Sequence, residues 1–249
     1  MPSAERVPLA ALQLLLQRGF DATSVEELAE AAGVSRSTFF RRFGSKEEMV
    51  FADLEERVAA ARSALVSHRS EGALAMVPAA LAVFDHATAD PGPARVRWEL
   101  LHAVPALREK ELVSTHRFER LFRDHLLALS RARTGTKAKN TAGAGTPGAD
   151  GKASAIQRPT PERSNAVALA SAVVAVHNDH LRSWLREPGE DVRPALATAL
   201  RTLITEHGPE QDGNRRTRGS APTVVVLKGT DTDPAAVAQA VEAALREQE

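Results

Sequence analysis

The sequence predicts an all-α chain: a three-helix module at the N-terminus, a longer helical region behind it, and a small β-α tail. Three observations lead there. Apolar residues recur three and four apart over most of the first 206 positions. No convincing strand pattern occurs before position 220. The composition, 43% hydrophobic and 26% charged over 249 residues, is that of a globular protein.

Composition also excludes chemistry. With 32 basic and 32 acidic residues, the chain has no uniformly basic coat, although a local basic patch remains possible. The absence of cysteine removes disulfides, thiolate catalysis and cysteine metal sites. The absence of tyrosine removes a catalytic phenol. Glu5, Arg6 and Pro8 break any secretory pattern, and no apolar run is long enough to span a membrane, so the expectation is a soluble cytoplasmic protein with no membrane partner.

Five of the eight phenylalanines lie in the first 51 residues: Phe20, Phe39, Phe40, Phe43 and Phe51. A small domain needs large side chains to stabilise its core. Residues 1–48 therefore read as a first domain. Its first helix runs from about Pro8 to Arg18 on Leu9, Leu12, Leu15 and Leu16, and Gly19 stops it. Thr23 or Ser24 caps a second helix, with Glu26 or Glu27 as the reciprocal partner. Gly33 ends that helix, and Ser35 caps a third over Arg36–Arg42. A fourth starts at Ser45, and Phe51, Leu54, Val58, Ala61 and Leu65 carry its stripe to about His68. Such a helix would be about 36 Å long.

Residues 49–207 read as a second, helical domain. Its segments are 72–88 with a kink or restart at Pro78, 93–104, 106–131, 164–186 and 191–206. Residues 132–163, rich in Gly, Ala, Thr and Pro, are expected to be a mobile loop. Residues 208–249 form a linker and an accessory tail, with a strand-like run Val224–Leu227 and an amphipathic helix over 235–248. The expectation is that this tail docks on the helical domain or on a partner copy.

The segment SVEELAEAAGVSRSTFFRRF, residues 24–43, carries the functional signal. Two short helices around a Gly-Val-Ser turn are what a helix-turn-helix requires: one helix braces, the other meets the major groove. Val25 and Val34 seal the angle, and Phe39 and Phe43, four apart, face inward. Residues 36–46 contain Arg36, Arg41, Arg42 and Lys46 and no acid, inside an otherwise acidic module. That asymmetry suits a small DNA-facing surface.

Residues Leu14–Met49 resemble the tetracycline-repressor (TetR) family of transcriptional regulators. Gly19, Phe20, Thr23, Leu28, Ala29, Ala32, Gly33, Val34, Ser35, Thr38, Phe43, Lys46 and Glu47 match its pattern. Phe40 departs from it, standing where the family usually has a phosphate-contacting tyrosine. The resemblance implies a DNA-binding domain followed by a helical ligand-binding and dimerisation domain. It implies a ligand-responsive regulator, a repressor, that binds a palindromic double-stranded operator as a homodimer through residues 164–206. The expected DNA contacts are Ser37 and Thr38 on base edges, Arg36 on guanine, and Thr23, Ser24, Arg41 and Lys46 on phosphates, with the Phe40 ring against sugar. The expected ligand is small and largely apolar, met by Phe84, Trp98, His102, Phe118 and Phe122. The alternative is a non-sensing architectural or protein-interaction module on the same fold.

No cofactor is implied. His177 and His180, three apart, and His116 and His125 read as surface or interface side chains rather than as metal ligands. Neither a nucleophile elbow nor a phosphate-binding glycine loop occurs, so no enzyme is expected.

Overall fold

The computed structural model describes residues 8–141, 160–187 and 191–209. All of them lie in one unit, residues 1–212; a second unit, residues 213–249, lies outside the described residues. The element order is α1 Leu9–Arg18, α2 Val25–Ala31, α3 Arg36–Phe43, α4 Lys46–Val50, α5 Leu54–Ser67, a 3-10 segment Arg69–Ala75, α6 Met76–Thr88, α7 Pro91–Ala103, α8 Pro105–Thr141, α9 Pro161–Arg186 and α10 Arg193–His207.

The fold class is corrected in one respect. It is all-α, and no strand occurs among the described residues, against the expected β-α tail. A lone strand needs a backbone edge to pair with, and a set of helices offers none. The Val224–Leu227 run and the 235–248 pattern lie outside the described residues.

The long helix expected from Ser45 to His68 is two helices. At Phe51–Asp53 the backbone tightens: Phe51 N–H donates to Glu48 O at 3.1 Å, Ala52 N–H to Met49 O at 3.2 Å, and Leu54 N–H to Phe51 O at 2.9 Å. Asp53 anchors this turn. Its carboxylate accepts from Arg57 at 3.3 Å and from Arg97 of α7 at 3.0 Å. Helix α8 outruns the expected loop start, continuing through Thr141, and α9 begins at Pro161. A helix already nucleated and packed extends at little cost through a stretch whose interior glycine, Gly135, opposes it by only about 1 kcal/mol. Residues 142–159 lie outside the described residues.

Two apolar clusters form. One gathers α5, α6, α8, α9 and α10 around Met76, Phe84, Phe122, Val173, Leu196 and Leu200. Pro78 sits in the first turn of α6, where its missing N–H has no intrahelical partner to lose. The other cluster holds Leu12, Leu15, Leu28, Phe39, Phe43 and Met49 of the N-terminal helices together with Val58, Leu100, Leu101 and Leu107. Its core is therefore closed by α5, α7 and α8, not by residues 1–48 alone. Each large side chain so buried contributes about 1.5–3 kcal/mol. Phe118 packs against both clusters.

Candidate nucleic-acid interface

Local chemistry positions α2 and α3. Ser24 caps α2 in a reciprocal box: its hydroxyl accepts from Glu27 N–H at 3.2 Å, and Glu27 Oε2 accepts from Ser24 N–H at 2.8 Å. The Ser24 backbone and side-chain donors, with nearby Arg18, hold the Glu27 carboxyl below the usual range. Gly33 then takes φ of 69°, a left-handed value that costs a side-chain-bearing residue, and the chain turns into α3. Ser35 caps α3 by accepting from Thr38 N–H at 3.2 Å.

The inner face of α3 is Phe39 and Phe43, both buried, with ring centroids 5.1 Å apart edge-to-face. The remaining residues look outward. Arg36, Ser37 and Arg41 are exposed, and Phe40 is 42% exposed. The Arg36 Nε donates to Glu26 Oε1 at 2.7 Å, and its guanidinium lies 5.5 Å from the Phe40 ring centroid. Both partners are well exposed, so this pair is a weak restraint of about 0.2–1 kcal/mol. Ser35 donates to Thr38 Oγ1 at 3.0 Å and lies 3.0 Å from Ser37 Oγ. Arg41 forms no ion pair among the described residues. Arg42 packs over the Phe43 ring at 5.0 Å.

Three expected phosphate contacts have other occupations. Thr23 is 1% exposed, and its hydroxyl donates to Gly19 O at 2.7 Å, closing the turn between α1 and α2. Ser24 is exposed, but its hydroxyl and N–H are engaged by Glu27. Lys46 Nζ donates to Phe20 O at 2.8 Å and Thr23 O at 3.1 Å, and sits 4.9 Å from the Phe20 ring centroid. It ties α4 to the turn that carries α2. Charge counting in the sequence cannot separate a lysine facing phosphate from one bonded to carbonyls. Sequence reasoning also missed Glu26 as the partner of Arg36, although the acid stands in the same quoted segment.

The five expected ligand residues are not brought to one surface. Phe84 and Phe122 are buried in the first apolar cluster, and Phe118 bridges the two clusters. Trp98 is half-buried and meets exposed His102 with ring centroids 4.2 Å apart, while His102 Nδ1 donates to Trp98 O at 2.8 Å. An open groove of about 450 Å³ between α5 and α8, lined by Val58, Arg62, Val66 and Arg117, contains none of the five.

On α9 and α10, Leu200 is fully buried in the chain's own core, whereas Val167 is 43% exposed. His177 is buried with its ring edge-to-face on Phe84 at 6.1 Å, and burial pushes its imidazole down to about 4 despite a contact with Asn178 that favours the charged form. His180 Nδ1 is directed instead at Val176 O, 2.9 Å away. Among the described residues no group of three or more potential ligands could hold a metal ion. No single described helix is long and apolar enough to cross a membrane.

Residues 9–52 match the family of bacterial regulatory proteins, tetR family. The chain is 44% identical over 55 residues to an uncharacterized HTH-type transcriptional regulator, YvkB, of Bacillus subtilis, a match covering 22% of this chain and 29% of that protein. It is 48% identical over 44 residues to the HTH-type transcriptional regulator TcmR of Streptomyces glaucescens, covering 18% and 20% respectively. The matched stretches thus span less than a third of either relative. Among solved structures, a TetR family transcriptional regulator, PfmR, from Thermus thermophilus is similar at 19% identity and a TM-score of 0.42, covering 80% of this chain and 97% of that one.

Proposed function

We propose that this chain, whose residues 9–52 match the bacterial regulatory proteins of the tetR family, is a cytoplasmic, ligand-responsive, non-catalytic repressor of that family that binds a palindromic operator as a homodimer. One observation carries this reading. Helix α3 buries Phe39 and Phe43 and presents Arg36, Ser37, Phe40 and Arg41 on its outer side. A helix held by its aromatic face and exposed along much of its basic face can enter a major groove about 12 Å wide. Ser37 and Thr38 stand at its N-terminal end, where recognition helices meet base edges. Arg36 reaches guanine once the weak Glu26 pair opens, and Arg41 holds phosphate. A second copy, joined through the outer faces of α9 and α10, supplies the other half-site.

Selection of bound duplexes from a random pool tests the reading, followed by salt titration on the enriched sequence. Arg41→Ala should weaken binding to all duplexes and lower the slope of log K against log salt by about one. A pool that never enriches, or a slope that Arg41→Ala leaves unchanged, overturns the assignment of α3.

The alternative, a non-sensing module, is favoured by Phe84 and Phe122, which are packed core side chains. The largely buried charged side chains Asp53, Arg57 and Arg97, which link α5 to α7, favour a sensor.

A further inference from the structure

Two guanidiniums on different helices share one carboxylate. Asp53, at the turn between α4 and α5, accepts from Arg57 of α5 at 3.3 Å and from Arg97 of α7 at 3.0 Å. The three side chains are 13%, 14% and 12% exposed. Each guanidinium has five N–H donors, far more than two carboxylate oxygens can satisfy. The Nε atoms of Arg57 and Arg97, Trp98 Nε1 and His177 Nε2 are buried with no hydrogen-bond partner among the described residues. Burial of such atoms is costly unless something pairs with them, and a native structure seldom retains several together.

Charge points the same way. Arg57 and Arg97 share the single carboxylate of Asp53, so the hydrogen-bonded cluster itself holds one positive charge in excess. Further groups act on it from neighbouring helices: His86 of α6 on Asp53, and Glu111 of α8 on Arg57, with Arg182 and His102 acting in turn on Glu111. The His177 ring, which feels Arg57, is held neutral and adds no charge. Apolar surface adjoins the cluster: the Phe84 ring lies edge-to-face against His177, and Phe118 packs into both neighbouring clusters.

We propose that this seam, at Arg57, Arg97 and His177, binds a small organic anion with an apolar body. The anionic group pairs with the guanidiniums, and the body lies toward the Phe84 ring that meets His177. Asp53 is the internal competitor: an incoming anion takes over guanidinium donors that it holds. Because Asp53 anchors the turn between α4 and α5, its release loosens the connection from the sensing helices to the DNA-facing ones. The inference rests on the helical domain being a sensor, and it names the class of ligand.

The test uses the full-length chain and three probes of equal tail length: octanoate, octyl phosphate and neutral octanol. Calorimetric titration should show octanoate or octyl phosphate binding at least tenfold more tightly than octanol, and the better of the two identifies the anionic group. Arg97→Gln should weaken that binding about tenfold, the loss of one charge-assisted pair. Asp53→Asn should tighten it severalfold, which a purely structural Asp53 would not do. If Asp53→Asn does not fold, the comparison of charged and neutral probes on the native protein decides. Octanol binding as tightly as both anions, or no binding by either anion, overturns the site. The sensor reading is judged separately, by release of the selected DNA. Release by octanol alone would keep the sensor and remove the anion site, whereas anion binding that leaves DNA affinity unchanged would keep the site and remove the switch.

Discussion

Replacing His177 with glutamine should flatten the acid side of the stability profile. The buried imidazole, against Phe84 and near Arg57, is pushed down to about 4 from an ordinary value near 6.5. Between those two pH values the unfolded chain binds the proton and the folded chain does not. Stability from this group is therefore complete above 6.5 and is lost as pH falls toward 4. Each pH unit in that window changes the unfolding free energy by about 1.4 kcal/mol when one proton is taken up. Across the window the loss is about 3 kcal/mol, a large part of the 5–15 kcal/mol that stabilises a typical domain. Asp53 does not confuse the reading. Burial pushes its carboxyl up, but Arg97 and Arg57 more than offset this and hold it below 3.8, so it titrates under the window. Urea unfolding at half-unit steps from pH 7 to pH 4, at fixed protein concentration, provides the curves. The native protein should lose about 3 kcal/mol more than His177→Gln over that range. Parallel curves would refute a buried neutral His177.

Three further outcomes follow from the geometry. Lys46→Met should destabilise the protein by about 2 kcal/mol, because it leaves Phe20 O and Thr23 O without their charged donor. The salt slope of DNA binding should stay unchanged, and a slope reduced by one in a salt titration would return Lys46 to the DNA. Phe40→Tyr should leave the melting temperature unchanged and tighten operator binding about fivefold, the effect of one hydrogen bond to phosphate from a ring already 42% exposed; filter binding measures it. Val167→Glu should yield a folded monomer by sedimentation, whereas charge at fully buried Leu200 should abolish helical circular dichroism.

Most of the N-terminal architecture was legible because its determinants are local. The serine caps at 24, 35 and 45, the turn at Gly33 and the inward pair Phe39 and Phe43 are all set by residues within four positions of one another. The break at Phe51–Asp53 was not legible. Phe51, Leu54, Val58, Ala61 and Leu65 keep helical spacing straight through it, and part of what holds the turn is Arg97, forty-four residues away. The same limit applies at Lys46, whose carbonyl partners lie 23 and 26 residues earlier. Within the seam, the Asp53–Arg57 pair at i,i+4 was open to sequence reasoning, but its sharing with α7 was not. The ligand candidates were chosen for being aromatic, and that criterion selects core side chains as readily as site walls.

The core beneath α3 is finished by Leu100, Leu101 and Leu107, and this bears on how the reading head can be handled. A transplant of residues 9–52 onto another body would expose the face of α1 that now packs against α7 and open the apolar cluster that holds Leu12, Phe39 and Met49. Such a chimera should be partly molten and prone to aggregate unless α7 travels with it. For the same reason the head should not melt ahead of the body. Heat or urea should remove both in one step, and hydrogen exchange in α3 should track that in α7. A mutation deep in α7 can thus silence DNA binding without touching any residue that faces the duplex.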